Sequence, residues 1–453
     1  MESPLRRELT FISATAIVVS NMIGTGIFTT TGFLAGDLGS PDVVLAVWAA
    51  GGIVALAGCL AYAELGINFP RSGGEYVFLR EAWGPTWGFL SGWISFFAGF
   101  AAPVAAGALA ISEYLGYFFP SLSMRHTQPS SGWIGWLRPG NGQLLALAVI
   151  VVFAVVNILG IRLAARLQTI LTATKLAVLG AFLLLAFTIG RGDWHNFTLA
   201  AARTSPHGVG TQFAVSLIFV MFAYSGWNAA TYVAEEMKTP ERTLPLALVV
   251  GTGAVAFIYL ALNAAFIYAL PLESMKGVVR VGALAAGGLF GPQGEAIFSG
   301  MMAAGILSCV SAMVIVGPRV YYAMALDGCF FRGAAQVNKR WHTPVQAILY
   351  QTVASAAMIL TGTFERLIYY LGFALILFAA LATAGIFRLR GRPGWKRLAA
   401  ISWAYPLIPA VFVGASIWML SYTLFLRPIE SLLGLLTMAS GALLYRWKFR
   451  KAS

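Results

Sequence analysis

The sequence predicts an all-α polytopic membrane protein: twelve transmembrane helices, made of two inverted five-helix repeats with helices one and six broken, plus two further helices. Three observations predict it. Apolar residues form 59% of the 453-residue chain and charged residues only 10%, whereas soluble domains carry roughly 25% charge. Apolar stretches approaching the ~20 residues needed to cross a bilayer follow one another from residue 11 to residue 447. The first and sixth stretches are each interrupted by glycine and hydrogen-bonding residues.

Read in order, the spans fall at 11–36, 42–66, 85–117, 143–160, 166–188, 212–234, 245–269, 296–326, 344–361, 366–387, 402–425 and 430–447. They group as one transmembrane domain: a first repeat over 11–188, a second over 212–387 and two added helices over 402–447. The first span follows Arg6 and Arg7, as a secretory signal would. It is too long for a signal core, and it contains Asn21 and Thr25, so it reads as a spanning helix. The 85–117 and 296–326 spans exceed the bilayer thickness and must tilt or project beyond it. The 49 glycines are spread among the spans, as expected where neighbouring helix backbones approach closely.

The basic residues orient this ladder. Of the 30 lysines and arginines, eight fall in one set of alternating loops: Arg125, Arg138, Arg191, Arg203, Lys276, Arg280, Arg366 and Arg427. Lys175 lies within a span, and the other 21 fall on the opposite side with both termini. Cytoplasmic loops carry the excess of Lys and Arg, so both termini are expected in the cytoplasm of a cell holding this chain in its inner membrane. The net charge of +13 then reflects anchoring to anionic membrane lipid; the basic residues form no dense polar face, so no nucleic acid partner is expected.

Cys59 and Cys309 fall in spans and Cys329 in a cytoplasmic loop. No disulfide-linked ancillary protein is therefore expected. No cysteine–histidine spacing suggests a metal site, and no cofactor is implied.

The interruptions carry the chemistry. The first span contains Asn21-Met22-Ile23-Gly24-Thr25-Gly26-Ile27-Phe28, and the sixth contains Phe222-Ala223-Tyr224-Ser225-Gly226-Trp227-Asn228. Spanning backbone must satisfy its own hydrogen bonds unless it lines a cavity. Because five is odd, a second five-helix set enters from the opposite side. That is the layout of inverted-repeat transporters, whose substrate lies between discontinuous helices. Freed amides of Thr25, Gly26 and Ile27 would begin a half-helix whose positive end holds a carboxylate. Freed carbonyls near Met22 and from Phe222 to Ser225 would accept from an ammonium. One ligand with both groups is an α-amino acid. The competing reading, that Gly24 and Gly26 only allow helix packing, is weakened by the matching interruption in the sixth span.

These residues resemble the amino acid–polyamine–organocation superfamily, and within it the L-type amino acid transporter branch. Gly24-Thr25-Gly26-Ile27-Phe28 is similar to that branch's glycine–serine–glycine–isoleucine–phenylalanine motif. Tyr62-Ala63-Glu64-Leu65-Gly66, Pro70-Arg71-Ser72-Gly73-Gly74-Glu75-Tyr76, Glu235-Glu236-Met237 and Gly317-Pro318-Arg319 resemble its other motifs. The resemblance implies carboxylate contacts at Thr25 and Gly26, and amine contacts at the carbonyls of Met22, Phe222 and Ser225. It makes Phe222 an aromatic gate and Asn228 a polar position just beyond it. The substrate-binding candidates are thus Met22, Ile23, Gly24, Thr25, Gly26, Phe222, Ala223, Ser225 and Asn228. Ser225 stands where large-substrate members carry glycine, which favours small to medium side chains.

Lys175 lies about nine residues, roughly 13 Å of helix rise, inside the fifth span, where a charge is costly and functional by default. Snorkelling to the cytoplasmic edge is the competing reading. The resemblance puts it where sodium-coupled relatives bind sodium, so its ammonium would replace that ion, bridge to the broken first span and repel sodium. A fixed charge there gives exchange, and a titrating one gives proton symport.

The expected function is sodium-independent transport of neutral L-amino acids by alternating access, as an exchanger. Proton-coupled symport and transport of cationic amino acids or polyamines remain open. Cationic substrates would call for an acidic residue lining the pocket, and none lies within 9–36 or 212–234. An enzyme would need a nucleophile–base pair or metal cluster within the spans, and a channel repeated rings of charge or carbonyls; neither pattern is present.

Overall fold

The computed structural model describes residues 5–122, 140–278, 280–361, 364–426 and 428–449. Of the charges that orient the chain, Arg125, Arg138, Arg427, Arg450 and Lys451 lie outside these residues, as does the side chain of Arg366.

The described residues are helical; their one β-like feature is an isolated bridge between Leu9 and Met237. α1 (Phe11–Met22) starts where the Thr10 side chain accepts from the Ser13 amide, which satisfies one of the unpaired N–H groups of a helix start. After three unwound residues the chain resumes as α2 (Gly26–Leu38), which ends at Gly39 with φ +69°. α3 (Pro41–Asn68) begins with proline at its first position and Asp42 in its first turn.

Between the second and third spans, where the sequence shows no stretch of bilayer length, stands a short helix, α4 (Glu75–Trp83). Gly73 (φ +115°) and Gly74 (φ +50°) turn the chain into it, and a Cβ on Gly74 would lie 2.5 Å from the Tyr232 ring. The third span is α5 (Pro85–Ile94), a π-helical stretch over Ser95–Ala101, and α6 (Ala102–Leu115). Single π segments inside α-helices often accompany functional sites.

α7 (Asn141–Ile158) and α8 (Ile161–Thr188) follow. α9 (Val209–Ala223) then breaks, and the chain resumes not as a second α half-helix through 234 but as a 3-10 helix, Ala229–Glu236. α10 (Pro240–Ala269) leads through α11 (Leu272–Met275) and α12 (Val281–Phe290) to the 35-residue α13 (Pro292–Leu326). α12 was not expected; its ten residues are too few to register as a span. The remaining long helices are α14 (Val345–Thr361), α15 (Phe364–Leu389), α17 (Leu407–Leu426) and α18 (Pro428–Leu444), with the four-residue α16 (Ala399–Ser402) ahead of α17.

Among the described residues seven helical spans are long and apolar enough to cross a membrane, two of them counted across their interruptions (Phe11–Leu38 and Pro85–Leu115), and shorter apolar helices lie between and after them. Their outer faces carry Phe257 at 72%, Val353 at 68% and Leu184 at 65% exposure. Soluble proteins rarely show broad apolar faces of this kind, so the solvent for these faces is lipid.

Two buried ion pairs cross-link the bundle. Arg319 and Glu236 meet at 2.8 Å with no solvent exposure, and Arg319 also donates to the Ile315 carbonyl and to Asn157. This joins α13, the 3-10 helix and α7. Glu64 is held by Arg390 at 3.0 Å, the Trp395 indole at 2.8 Å and the Leu398 amide at 2.9 Å.

Candidate functional site

The helix at Met22 stops because Ile23 leaves helical geometry (φ −76°, ψ 87°), and the Gly24 amide turns back onto the Met22 carbonyl at 2.9 Å. The amides of Thr25, Gly26 and Ile27 donate to no described residue, and the first inward bond is Phe28 N–H to the Thr25 carbonyl. Three unpaired donors therefore cluster at the start of α2. Such a cluster is costly in an apolar bundle unless something accepts from it.

The two interruptions touch. A Cβ on Gly26 would lie 2.7 Å from the Ala223 Cα, and one on Gly226 (φ +94°) would lie 2.7 Å from the Asn21 Cβ. Each glycine is required by the opposite break: packing and interruption are one feature, not alternatives.

Neighbouring helices hold this geometry. Tyr259 of α10 directs its hydroxyl at the carbonyls of Met22 (2.6 Å) and Ala223 (3.0 Å), the last carbonyls of α1 and α9. Lys175 of α8, buried at 3% exposure, donates from Nζ to the Ile23 carbonyl at 2.6 Å. Beside it Ser20 bonds Thr172 at 2.6 Å and Ser308 at 3.1 Å, joining α1, α8 and α13. On the other side the Tyr224 hydroxyl donates to the Trp48 carbonyl of α3 at 3.1 Å.

Between the breaks lies a cavity of about 160 Å³. Of the expected residues Met22, Gly24, Thr25, Gly26, Phe222, Ala223, Ser225 and Asn228 line it, whereas Ile23 and Lys175 stand behind its wall. The acceptor side differs from the sequence reading in one respect. The Met22 carbonyl already receives two donors, Gly24 N–H and Tyr259 O–H. These donors compete with a ligand ammonium for the atom's lone pairs, although the single Tyr259 proton is shared with the Ala223 carbonyl. The Phe222 carbonyl accepts from the Ser225 and Tyr224 amides, and the Ser225 carbonyl accepts none from described residues.

Two residues were missed. Tyr259 is a tyrosine in an apolar helix and reads as packing; the signal was a lone hydroxyl in a span, which must find an acceptor. Glu75 falls by sequence between the second and third spans, yet it lines the cavity. This revises the expectation that no carboxyl reaches the pocket. Tyr62 Oη donates to Glu75 Oε1 at 2.7 Å and Asn228 Nδ2 donates to the same oxygen at 2.8 Å. Burial pushes the Glu75 carboxyl up to about 7, against the two hydrogen bonds that lower it.

The chain is similar to known proteins over most of its length. Residues 9–434 match the family model described as Amino acid permease. The serine/threonine exchanger SteT of Bacillus subtilis is 30% identical, over 100% of this chain and 99% of its own length. The large neutral amino acids transporter small subunit 2 of Homo sapiens is 30% identical over 97% of this chain and 80% of its own. The b(0,+)-type amino acid transporter 1 of Homo sapiens is 29% identical over 85% of this chain and 76% of its own.

Proposed function

The chain belongs to the amino acid permease family, and on that premise we propose that it exchanges neutral L-amino acids across the membrane by alternating access, without sodium. It is a multi-pass membrane transporter and not an enzyme. The observation that carries the substrate class is the pair of facing interruptions, one offering the unpaired amides of Thr25, Gly26 and Ile27 and the other the unfilled carbonyl of Ser225.

In this reading the substrate carboxylate docks on the α2 amides, where the helix dipole adds to three charge-assisted hydrogen bonds. The ammonium sits against the Ser225 and Phe222 carbonyls. Phe222 covers the occupied site, and Asn228 lies beyond it. Lys175 serves as a permanent cation on the unwound backbone, so the first helix is held without sodium, and the empty carrier is not free to reorient. That constraint yields exchange. The finer architecture belongs to the same proposal: twelve spans, repeats over 11–188 and 212–387, added helices over 402–447, and both termini cytoplasmic in a cell inner membrane. So do a preference for small to medium side chains, consistent with Ser225 and with the relative named a serine/threonine exchanger, and the absence of a disulfide-linked partner, since Cys59, Cys309 and Cys329 are all buried.

The test is counterflow in liposomes holding the purified protein. Labelled L-threonine should accumulate only when the vesicles contain an unlabelled amino acid, and equally in sodium or choline medium. A several-fold loss in choline contradicts sodium independence, and equal uptake into empty vesicles contradicts exchange.

A further inference from the structure

Among the described residues that line the cavity, Glu75 carries the one carboxyl, and no lysine, arginine or histidine lines it. The carboxyl is placed firmly. Gly73 and Gly74 turn the chain inward at φ values that side chains rarely adopt, and a Cβ on either would lie within 3 Å of Ala323 or Tyr232. Both of its donors, Tyr62 Oη and Asn228 Nδ2, converge on Oε1. Oε2 receives no hydrogen bond from any described residue, although the side chain is buried to 4% exposure against the cavity.

The surrounding ionisable groups offer no counter-charge. Tyr62 faces it from α3, Tyr232 from the 3-10 helix, and Tyr321 of α13 lies behind Tyr232. Glu235 is turned to the Ser72 amide, and Arg319 is committed to Glu236. An ionised Glu75 is therefore an uncompensated negative charge beside the substrate; a protonated Glu75 is a hydrogen-bond donor there.

We propose that Glu75 sets the charge selectivity of the cavity through its proton. This deepens the amino acid exchange reading and rests on it. With the proton on Oε2, the group donates to an uncharged polar side chain, such as a hydroxyl, and adds no charge to a zwitterionic ligand. When the proton leaves to cavity water, the bare Oε2 accepts from a cationic side chain and no longer donates to a neutral one. The same site thus favours neutral amino acids in acid and admits dibasic ones as the medium becomes alkaline.

The experiment is competition in liposomes loaded with L-serine. Uptake of labelled L-serine is inhibited by unlabelled L-serine or L-lysine at equal internal and external pH, between pH 6 and pH 8. For a carboxyl titrating near 7, the ratio of lysine to serine half-inhibitory concentrations should fall by up to about tenfold over that interval. Glu75→Gln keeps the shape and an uncharged donor, so its ratio should stay flat and serine-selective. Tyr62→Phe removes a donor that favours the ionised form and should move the midpoint to higher pH. A wild-type ratio independent of pH, a Glu75→Gln profile matching wild type, or an unmoved Tyr62→Phe midpoint overturns the proposal while leaving amino acid exchange intact. If wild-type vesicles accumulate no labelled serine at any pH and no other labelled amino acid counterflows, the exchange reading itself has failed.

Discussion

At the first interruption the chain resumes as a thirteen-residue α-helix, so its unpaired amides sit at the positive end of an extended dipole; at the second it resumes as an eight-residue 3-10 helix. Tyr259 reaches a backbone carbonyl of each break, Met22 and Ala223, and the first is the more heavily braced because Lys175 adds a charged donor on the Ile23 carbonyl. Besides that tyrosine, the second is held through side chains at its ends, Tyr224 on α3 and Asn228 on Glu75. The contrast separates two jobs. A rigid, donor-rich break suits the group every amino acid shares, the carboxylate. A looser break bearing Phe222, Ser225 and Asn228 suits gating and side-chain discrimination.

The most damaging change should be Gly26→Ala, because its Cβ would lie 2.7 Å from the Ala223 backbone and force the two breaks apart. Counterflow per folded protein is expected to fall to background. Activity near wild type would mean that the breaks need not touch. Next comes Lys175→Ala, which leaves the Ile23 carbonyl without its charged donor. Losing such a bond costs roughly 1.5–3 kcal/mol, or about ten- to a hundredfold in exchange rate, with the protein still extractable as a monodisperse species. Tyr259→Phe releases two carbonyls at once but removes only a neutral hydroxyl. About a fivefold loss of counterflow is expected. Thr25→Ser should change least, within about twofold, since the proposal uses the backbone amide and the hydroxyl is kept. A large loss there would move the carboxylate contact from backbone to side chain.

The first break was legible because Gly24-Thr25-Gly26 concentrates weak helix formers in an otherwise apolar run, and the structure unwinds there. The second was legible in position but not in form. Nothing in Ser225-Gly226-Trp227-Asn228 distinguishes an α half-helix from the 3-10 helix that follows, since that choice is made by contacts with Asn21 and Glu75. α4 and α12 were invisible to a reading keyed to spans of bilayer length. Glu75 was missed for a related reason: a residue in a loop by sequence is carried into the cavity by a turn at Gly73 and Gly74. The tyrosine contact on the Met22 carbonyl could not be foreseen either, because Tyr259 lies 237 positions away along the chain.

A cryo-electron microscopy structure of the protein with L-threonine bound tests the central claim most directly. The account predicts the ligand carboxylate within hydrogen-bonding distance of the Thr25, Gly26 and Ile27 amides and its ammonium against the Ser225 carbonyl. A ligand seated elsewhere, or a first helix running unbroken through Gly24–Gly26 with its amides paired internally, would contradict it.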